Sequence, residues 1–334
     1  MFLTRKTNFL MLTLICLLVF NCGCEEKSKP GSAISKSKVA KVPTLSLNFE
    51  DKAVDVYKVT VESSKGVEFE GEVSEKSSFK GGRAASTIEM VFSSEVVSVG
   101  ERGNAVEKIT IKGIKYIATV KDNAVIDFDS SREKDKVSPL FGLIGKSYTI
   151  QMASNGKMAG VVDANDAREA VKGGSSTHKA AQSLVSDEVI AQRHGGVILP
   201  DDGEVTSDTT WKELESFDFG LMGSQSYEKV YKVESMKDAT SLMISMNAIP
   251  SSEMAEEIHK DQQTSDFSKM FDSTEFYEGR LVFDSDAGKV KSYSEKLDTS
   301  WLAVDPSAGK GDDKDAPTAL KMSVIKGYSI EKID

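Results

Sequence analysis

Gly145-Lys146-Ser147 has the residue types that end a phosphate-binding loop, where backbone N–H groups wrap a phosphate, the lysine neutralises it and the hydroxyl holds magnesium. That chemistry needs a glycine five residues before Gly145 and a helix directly after Ser147, so that a helix N-terminus faces the anion. Position 140 is Leu140, and after Ser147 the apolar Tyr148, Ile150 and Met152 alternate with Thr149 and Gln151, which is the period of a strand. Asn155-Gly156 then turns the chain into a second apolar run over 158–162. Nucleotide binding is therefore not expected, and Gly-Lys-Ser opens a hairpin strand.

Hydrolytic and metal chemistry find no better footing. His178, His194 and His259 have no partner at ligand spacing, so all three are expected as solvent-exposed residues. Ser176-Thr-His-Lys179 satisfies Ser-x-x-Lys without its companion motifs, and a Gly-x-Ser-x-Gly elbow does not occur; the first reads as a helix cap. Asp284-Ser-Asp-Ala-Gly288 begins like a calcium loop with Glu295 at the twelfth position, but Lys289 stands where the tight turn needs glycine and Lys291 adds positive charge. A plain turn is expected there. No catalytic residue, metal or other cofactor is implied, and the chain reads as a non-enzyme. Trp211 and Trp301 remain as aromatics at strand ends, which pack in a core or line the mouth of a curved sheet.

These residues must be positioned by a fold, and length, charge and cysteine content bound which kind. The chain has 334 residues and a formal charge of -10. Arg5 and Lys6 precede an apolar run over 9–20, too short to span a bilayer and shaped like a secretory signal. Cys16, Cys22 and Cys24 are the three cysteines, all in this leader, so no disulfide framework holds the rest together. Losing Arg5 and Lys6 with the signal takes the charge from -10 to -12, a surface that repels nucleic acid.

Residues 24–43 are Ser/Lys-rich with two prolines, as in a flexible tether. From 44 onward, alternating apolar and polar residues predict a β-rich α+β domain over 44–334: a large curved antiparallel sheet, as a half-barrel or two related sheets, with a few helical insertions. Tyr57, Val59 and Val61 share a face. Ser63-Ser-Lys-Gly66 reads as a turn into a second run through Val67, Phe69 and Val73, making a hairpin. Ile88, Met90 and Phe92 share a face. In 106–120 the apolar parity switches from Ile109 and Ile111 to Ile114, Tyr116 and Ala118, which predicts a bulge at Gly113. Helices are expected at 164–171, as one helix over 177–193, and on the surface over 251–271. Later strands pass through Tyr227 to Val233, Leu242 to Ala248, Leu281 to Phe283 with Val290, and Leu320 to Val324; 307–317 is a surface loop. The halves 44–200 and 201–334 have a similar make-up, so a pseudo-repeat is open.

The leader ends Leu17-Leu-Val-Phe-Asn-Cys-Gly-Cys24, which resembles a bacterial lipoprotein signal with Cys24 as the lipid-bearing residue and Cys22 as second choice. With the tether, the sheet and the hairpin Gly279 to Gly288, the chain resembles the uncharacterised bacterial lipoproteins of roughly this length and, more distantly, the lipoprotein-carrier half-barrels. That resemblance implies an exported, lipid-anchored protein of the cell envelope, on the periplasmic face or the cell surface, attached to the membrane by its acyl chains. Two functions follow. In one, the curved sheet binds a lipid or other apolar ligand in a hollow lined by Tyr57, Val59, Phe69, Met90 and Phe92, with Trp211 and Trp301 as further lining. In the other, the same face is packed solid and the molecule is a structural module that touches an envelope protein. A hollow of roughly 300 Å³ or more separates them.

Overall fold

The computed structural model describes residues 43–70, 81–100, 103–201, 203–237, 240–252, 268–304 and 319–333. The signal, Cys16, Cys22, Cys24, the tether up to 42, His259, most of the expected 251–271 helix and the 307–317 loop lie outside the described residues.

Twelve antiparallel strands form one sheet that does not close. They are β1 (Val54–Glu70), β2 (Gly82–Val99), β3 (Ala105–Val120), β4 (Asn123–Asp129), β5 (Ser147–Met152), β6 (Met158–Asp163), β7 (Thr210–Asp218), β8 (Ser224–Lys237), β9 (Ser241–Ser251), β10 (Asp272–Asp284), β11 (Lys289–Val304) and β12 (Ala319–Ile333). The order is β6-β5-β3-β2-β1-β12-β11-β10-β9-β8-β7, with β4 also on β3. The chain thus winds outward from the centre, passes through the helices α1 (Asn165–Ala170), α2 (Ser176–Ser183) and α3 (Asp187–His194), and returns from the far edge. β1 and β12 meet in the middle.

The alternation places one face of each strand inside. Val59, Met90, Phe92, Ile109, Ile111 and Ile114 are all buried, as are Tyr227, Tyr231, Leu242, Ile244, Leu281 and Phe283. The parity switch in β3 is a bulge: Val91 pairs Gly113 and Phe92 pairs Ile111, so the extra residue Lys112 restores the inward face on both sides.

Two local expectations are corrected. Ser63-Ser-Lys-Gly66 is not a turn, because β1 runs through it unbroken while paired on both sides, Ser63 to Lys326 and Ser86, and Gly66 to Ser323 and Arg83. Two full ladders of hydrogen bonds outweigh the local turn preference of four residues. The single helix over 177–193 is two: Ser175 caps α2 by accepting from His178 N at 3.2 Å, and Ser186 starts α3 by accepting from Val189 N at 3.3 Å.

The inward face carries two apolar clusters. One, in the first half of the chain, is covered by the helices through Ala167, Val171, Ala181, Leu184, Val185 and Ile190. The other lies in the second half, where the sheet curls until β7 faces β11 and β12, although three strands separate β7 from β11. Phe219 meets Trp301 edge-on at 5.1 Å, and Lys326 Nζ sits 4.3 Å over the Phe217 ring. Leu47, Tyr328 and Ile330 pack against both clusters. Leu47 belongs to a strap that crosses the concave side: Leu45 N donates to Gly203 O at 2.6 Å, Leu47 N to Ser154 O at 2.7 Å and Asn48 N to Gly288 O at 2.9 Å. Its anchor points are Gly203 in the segment between α3 and β7 and the turns of the β5–β6 and β10–β11 hairpins.

Candidate functional site

Between α3 and the overhanging β7 the two clusters leave a hollow of about 770 Å³. Its apolar floor is Val59 and Val61 of β1, Ile88 and Met90 of β2 and Leu297 of β11; α3 borders it with Val189, Gln192 and Arg193, and β7 with residues 213–218. Its size is that of a small-molecule site.

The wall opposite the apolar floor is charged. On β7 the inward positions read Trp211, Glu213, Glu215, Phe217; on β8 Tyr227, Lys229, Tyr231; on β11 Tyr293, Glu295, Leu297. Lys229 is only 2 % exposed. Its ammonium pairs with Glu215 and, at 2.8 Å, with Glu295, and lies 5.4 Å from the centre of the Tyr277 ring. The Tyr277 hydroxyl lies 2.8 Å from Glu215 Oε2 and 3.0 Å from Glu295 Oε2, and has one proton to donate between them. Tyr293 donates to Glu295 at 2.6 Å. Burial by itself would discharge Lys229, but Glu295, Tyr231 and Glu215 outweigh it and lift its pKa above the ordinary lysine value. Burial first, then the two glutamates, push Tyr277 far up, so it remains a donor.

Room for this cluster comes from Gly279 of β10, which pairs Glu295; a Cβ there would lie 2.7 Å from Ser294 O and 2.9 Å from Met246 Cε. Glu213 is the cross-strand neighbour of Lys229, yet makes no ion pair among the described residues. Burial pushes its pKa up to about 7, with Glu215 and Glu295 adding to the rise and Lys229 opposing it. Lys326, over Phe217, is pushed down by burial.

Sequence reasoning missed this cluster, although it left a signal: a charged residue at an inward parity position on three strands, flanked by aromatic or apolar residues. Which of these charges meet depends on the curl of the sheet.

A second cavity of about 90 Å³ lies beside the strap and shares Tyr328 with the first. It is bordered by Tyr57, Phe92, Ser94, Glu107 and His194. Ser94 donates to Glu107, whose pKa burial raises. Of the residues expected to line a ligand site, Val59 and Met90 therefore border the hollow, and Tyr57 and Phe92 the smaller cavity. Phe69 borders neither. Trp211 is stacked on Tyr231 at 5.0 Å with its indole N–H donating to Ile198 O at 2.9 Å, and Trp301 is 8 % exposed in the second core. Trp301 belongs to the second core, Trp211 is half-buried and packs against it, and neither borders the hollow or the smaller cavity. The expectation of exposed histidines is corrected for His194, whose ring lies against Phe92 and Tyr148, with Nε2 2.7 Å from the Tyr148 hydroxyl. Burial and the adjacent Arg193 lower its pKa to about 3, which keeps it neutral.

Ser147 opens β5, and Lys146 is held by Asp166 at 3.0 Å, the arrangement of a hairpin and not of a phosphate loop. Asp284 accepts from Ala287 N at 3.0 Å and pairs with Lys291 at 3.0 Å, which fills the turn that resembled a calcium loop. Among the described residues no three His, Cys, Asp or Glu side chains are placed to hold a metal ion, and no helix is long and apolar enough to cross a membrane.

No protein-family model matches the chain, and no curated protein matches it in sequence. Among solved structures it is similar to a lipovitellin described for its lipid–protein interactions, at 13% identity and a TM-score of 0.44 over 86% of this chain and 26% of that one. DynF of the dynemicin biosynthesis pathway of Micromonospora chersina gives 8% identity and a TM-score of 0.18, over 92% of this chain and 94% of that one. OccK5 of Pseudomonas aeruginosa gives 10% and 0.21, over 86% of this chain and 100% of that one. The chain spans about a quarter of the lipovitellin chain. Likenesses this distant carry no functional argument.

Proposed function

We propose that the protein is a non-enzymatic lipoprotein of the cell envelope, anchored through Cys24, that holds an amphiphilic small molecule in the hollow between α3 and β7. The hollow itself carries this reading: about 770 Å³ with a floor of Val59, Val61, Ile88 and Met90 on one side and hydrogen-bonding groups on the other. An apolar chain gains by covering the floor, at about 25 cal/mol per Å² of apolar surface removed from water. A structural module would have used the curl of the sheet to pack this face solid.

The test is native mass spectrometry of the exported protein, followed by organic extraction, with Met90→Trp as the comparison. An amphiphile at fixed stoichiometry that Met90→Trp loses supports the reading. A clean apo mass, with no uptake of a hydrophobic fluorescent probe, sinks it. Acylation at Cys24 is checked separately by metabolic labelling with a fatty acid, which Cys24→Ala abolishes if the assignment is right.

A further inference from the structure

The geometry points to a ligand with a cationic head: a long-chain amine or quaternary ammonium amphiphile whose chain lies on Val59, Ile88 and Met90 and whose head sits beside Glu213. This rests on the amphiphile reading of the hollow and names the class of molecule it takes.

The lining decides between head groups. On its inward positions three carboxyl groups, Glu213, Glu215 and Glu295, face two ammonium groups, Lys229 and Lys326. Both lysines are engaged, Lys229 by Glu215 and Glu295, and Lys326 by the Phe217 face. Arg193 is likewise committed, donating to Leu184 O at 2.9 Å and to the Tyr148 hydroxyl at 3.2 Å. The border adds Glu62, Glu188 and Asp218. A carboxylate or phosphate head would thus enter a wall where negative groups outnumber positive ones, and like charges in a partly desolvated site repel strongly. An ammonium head instead gives Glu213 an ion-pair partner of its own, which it does not have among the described residues because the neighbouring Lys229 is bound to Glu215 and Glu295.

The hollow also shows, with the protein's own side chains, how it accommodates such a group. Lys229 and Lys326 each place an ammonium over an aromatic ring, at 5.4 Å from Tyr277 and 4.3 Å from Phe217, and carboxylate plus ring face is the combination that recognises organic cations. The formal charge of -10 draws cations toward the molecule as a whole. The apolar floor selects a cation with a carbon chain over a bare metal ion. Glu213, which faces Lys229, Glu215, Glu295 and Lys157, holds its proton up to near neutrality, so an arriving ammonium ionises it and the proton leaves to solvent.

The experiment uses the full chain with Cys22→Ala and Cys24→Ala, which needs no acyl anchor or detergent. Dodecyltrimethylammonium, dodecanol and dodecanoate are titrated below their aggregation concentrations by calorimetry, in two buffers of different ionisation enthalpy. The expected result is ammonium binding at least about tenfold tighter than dodecanoate, with proton release near pH 7. Glu213→Gln should remove the release and bring the ammonium and dodecanol affinities together, and Met90→Trp should weaken all three probes; thermal melts confirm that each variant is folded. Equal binding of the three heads, blocked by Met90→Trp, leaves the amphiphile reading standing and overturns the cationic head. A preference for dodecanoate that Lys326→Met abolishes also overturns it. No binding of any probe overturns both.

Discussion

Lys229 shows what a single inward charge imposes on its surroundings. Removing it leaves Glu215 and Glu295 facing each other without a counter-ion, and breaking a buried ion pair on one side costs about 3–5 kcal/mol. Lys229→Met is therefore expected to lower the unfolding free energy by that amount in urea melts, while Lys229→Met combined with Glu215→Gln and Glu295→Gln recovers much of it. A single variant no worse than the triple would mean that the cluster is not coupled. Glu213 gives a pH signature of its own. Its folded pKa of about 7 lies above the ordinary 4.5, so the native state holds a proton that the unfolded chain has released. Its stabilising contribution is complete below pH 4.5 and is lost as pH rises to about 7. Glu213→Gln is expected to flatten the fall in stability over that window and to be the more stable form above it, measured by denaturant midpoints across pH.

The strands carry these residues on a common face, and most strands are legible in the alternation, whereas β4 and β7 are not among the runs that the residue order singles out. Tyr57 to Val61, Ile88 to Phe92, the parity switch at Gly113 and the runs of β8, β9 and β12 all came from residue order, because a half-buried strand must alternate. The errors arose where local chemistry competed with partners distant in sequence. Ser63 to Gly66 has turn residues and is nonetheless central strand; Ser186 interrupts what periodicity alone continues as one helix. Gly279 belongs to this scale as well. It reads as a hairpin glycine in the sequence, but its role is steric, since a Cβ meets the backbone oxygen of Ser294 on the next strand. Gly279→Ala should cost about 1–3 kcal/mol through overpacking and disturb the Lys229 cluster. A thermal midpoint equal to that of the parent protein would refute the close approach.

At the scale of the whole molecule, the central pairing of β1 with β12 makes one sheet of both halves, and the curl of the second half brings β7 over the middle. The helices inserted between β6 and β7 cover the first core and stop short of β7, and the hollow is the space that remains. The native mass measurement belongs at this scale because it interrogates that space directly. Tyr328 ties the arrangement together: it packs against both cores, borders both cavities and donates to Arg193 O at 2.8 Å.

Residue order alone carries the β-rich class, most strand faces, the bulge and the strand that follows Gly145 where a phosphate loop needs a helix, since each rests on periodicity or spacing within a few residues. Val59 and Met90 were legible as inward residues for the same reason. It takes the folded chain to place Trp301 in the second core with Trp211 against it, to set His194 against Tyr148 and Phe92, and to bring Glu213, Glu215, Lys229, Tyr277 and Glu295 to one wall. Those five residues lie on four strands of two hairpins, β7–β8 and β10–β11, and the position of each hairpin is set by accumulated twist and by the packing of two cores, quantities that no local pattern encodes.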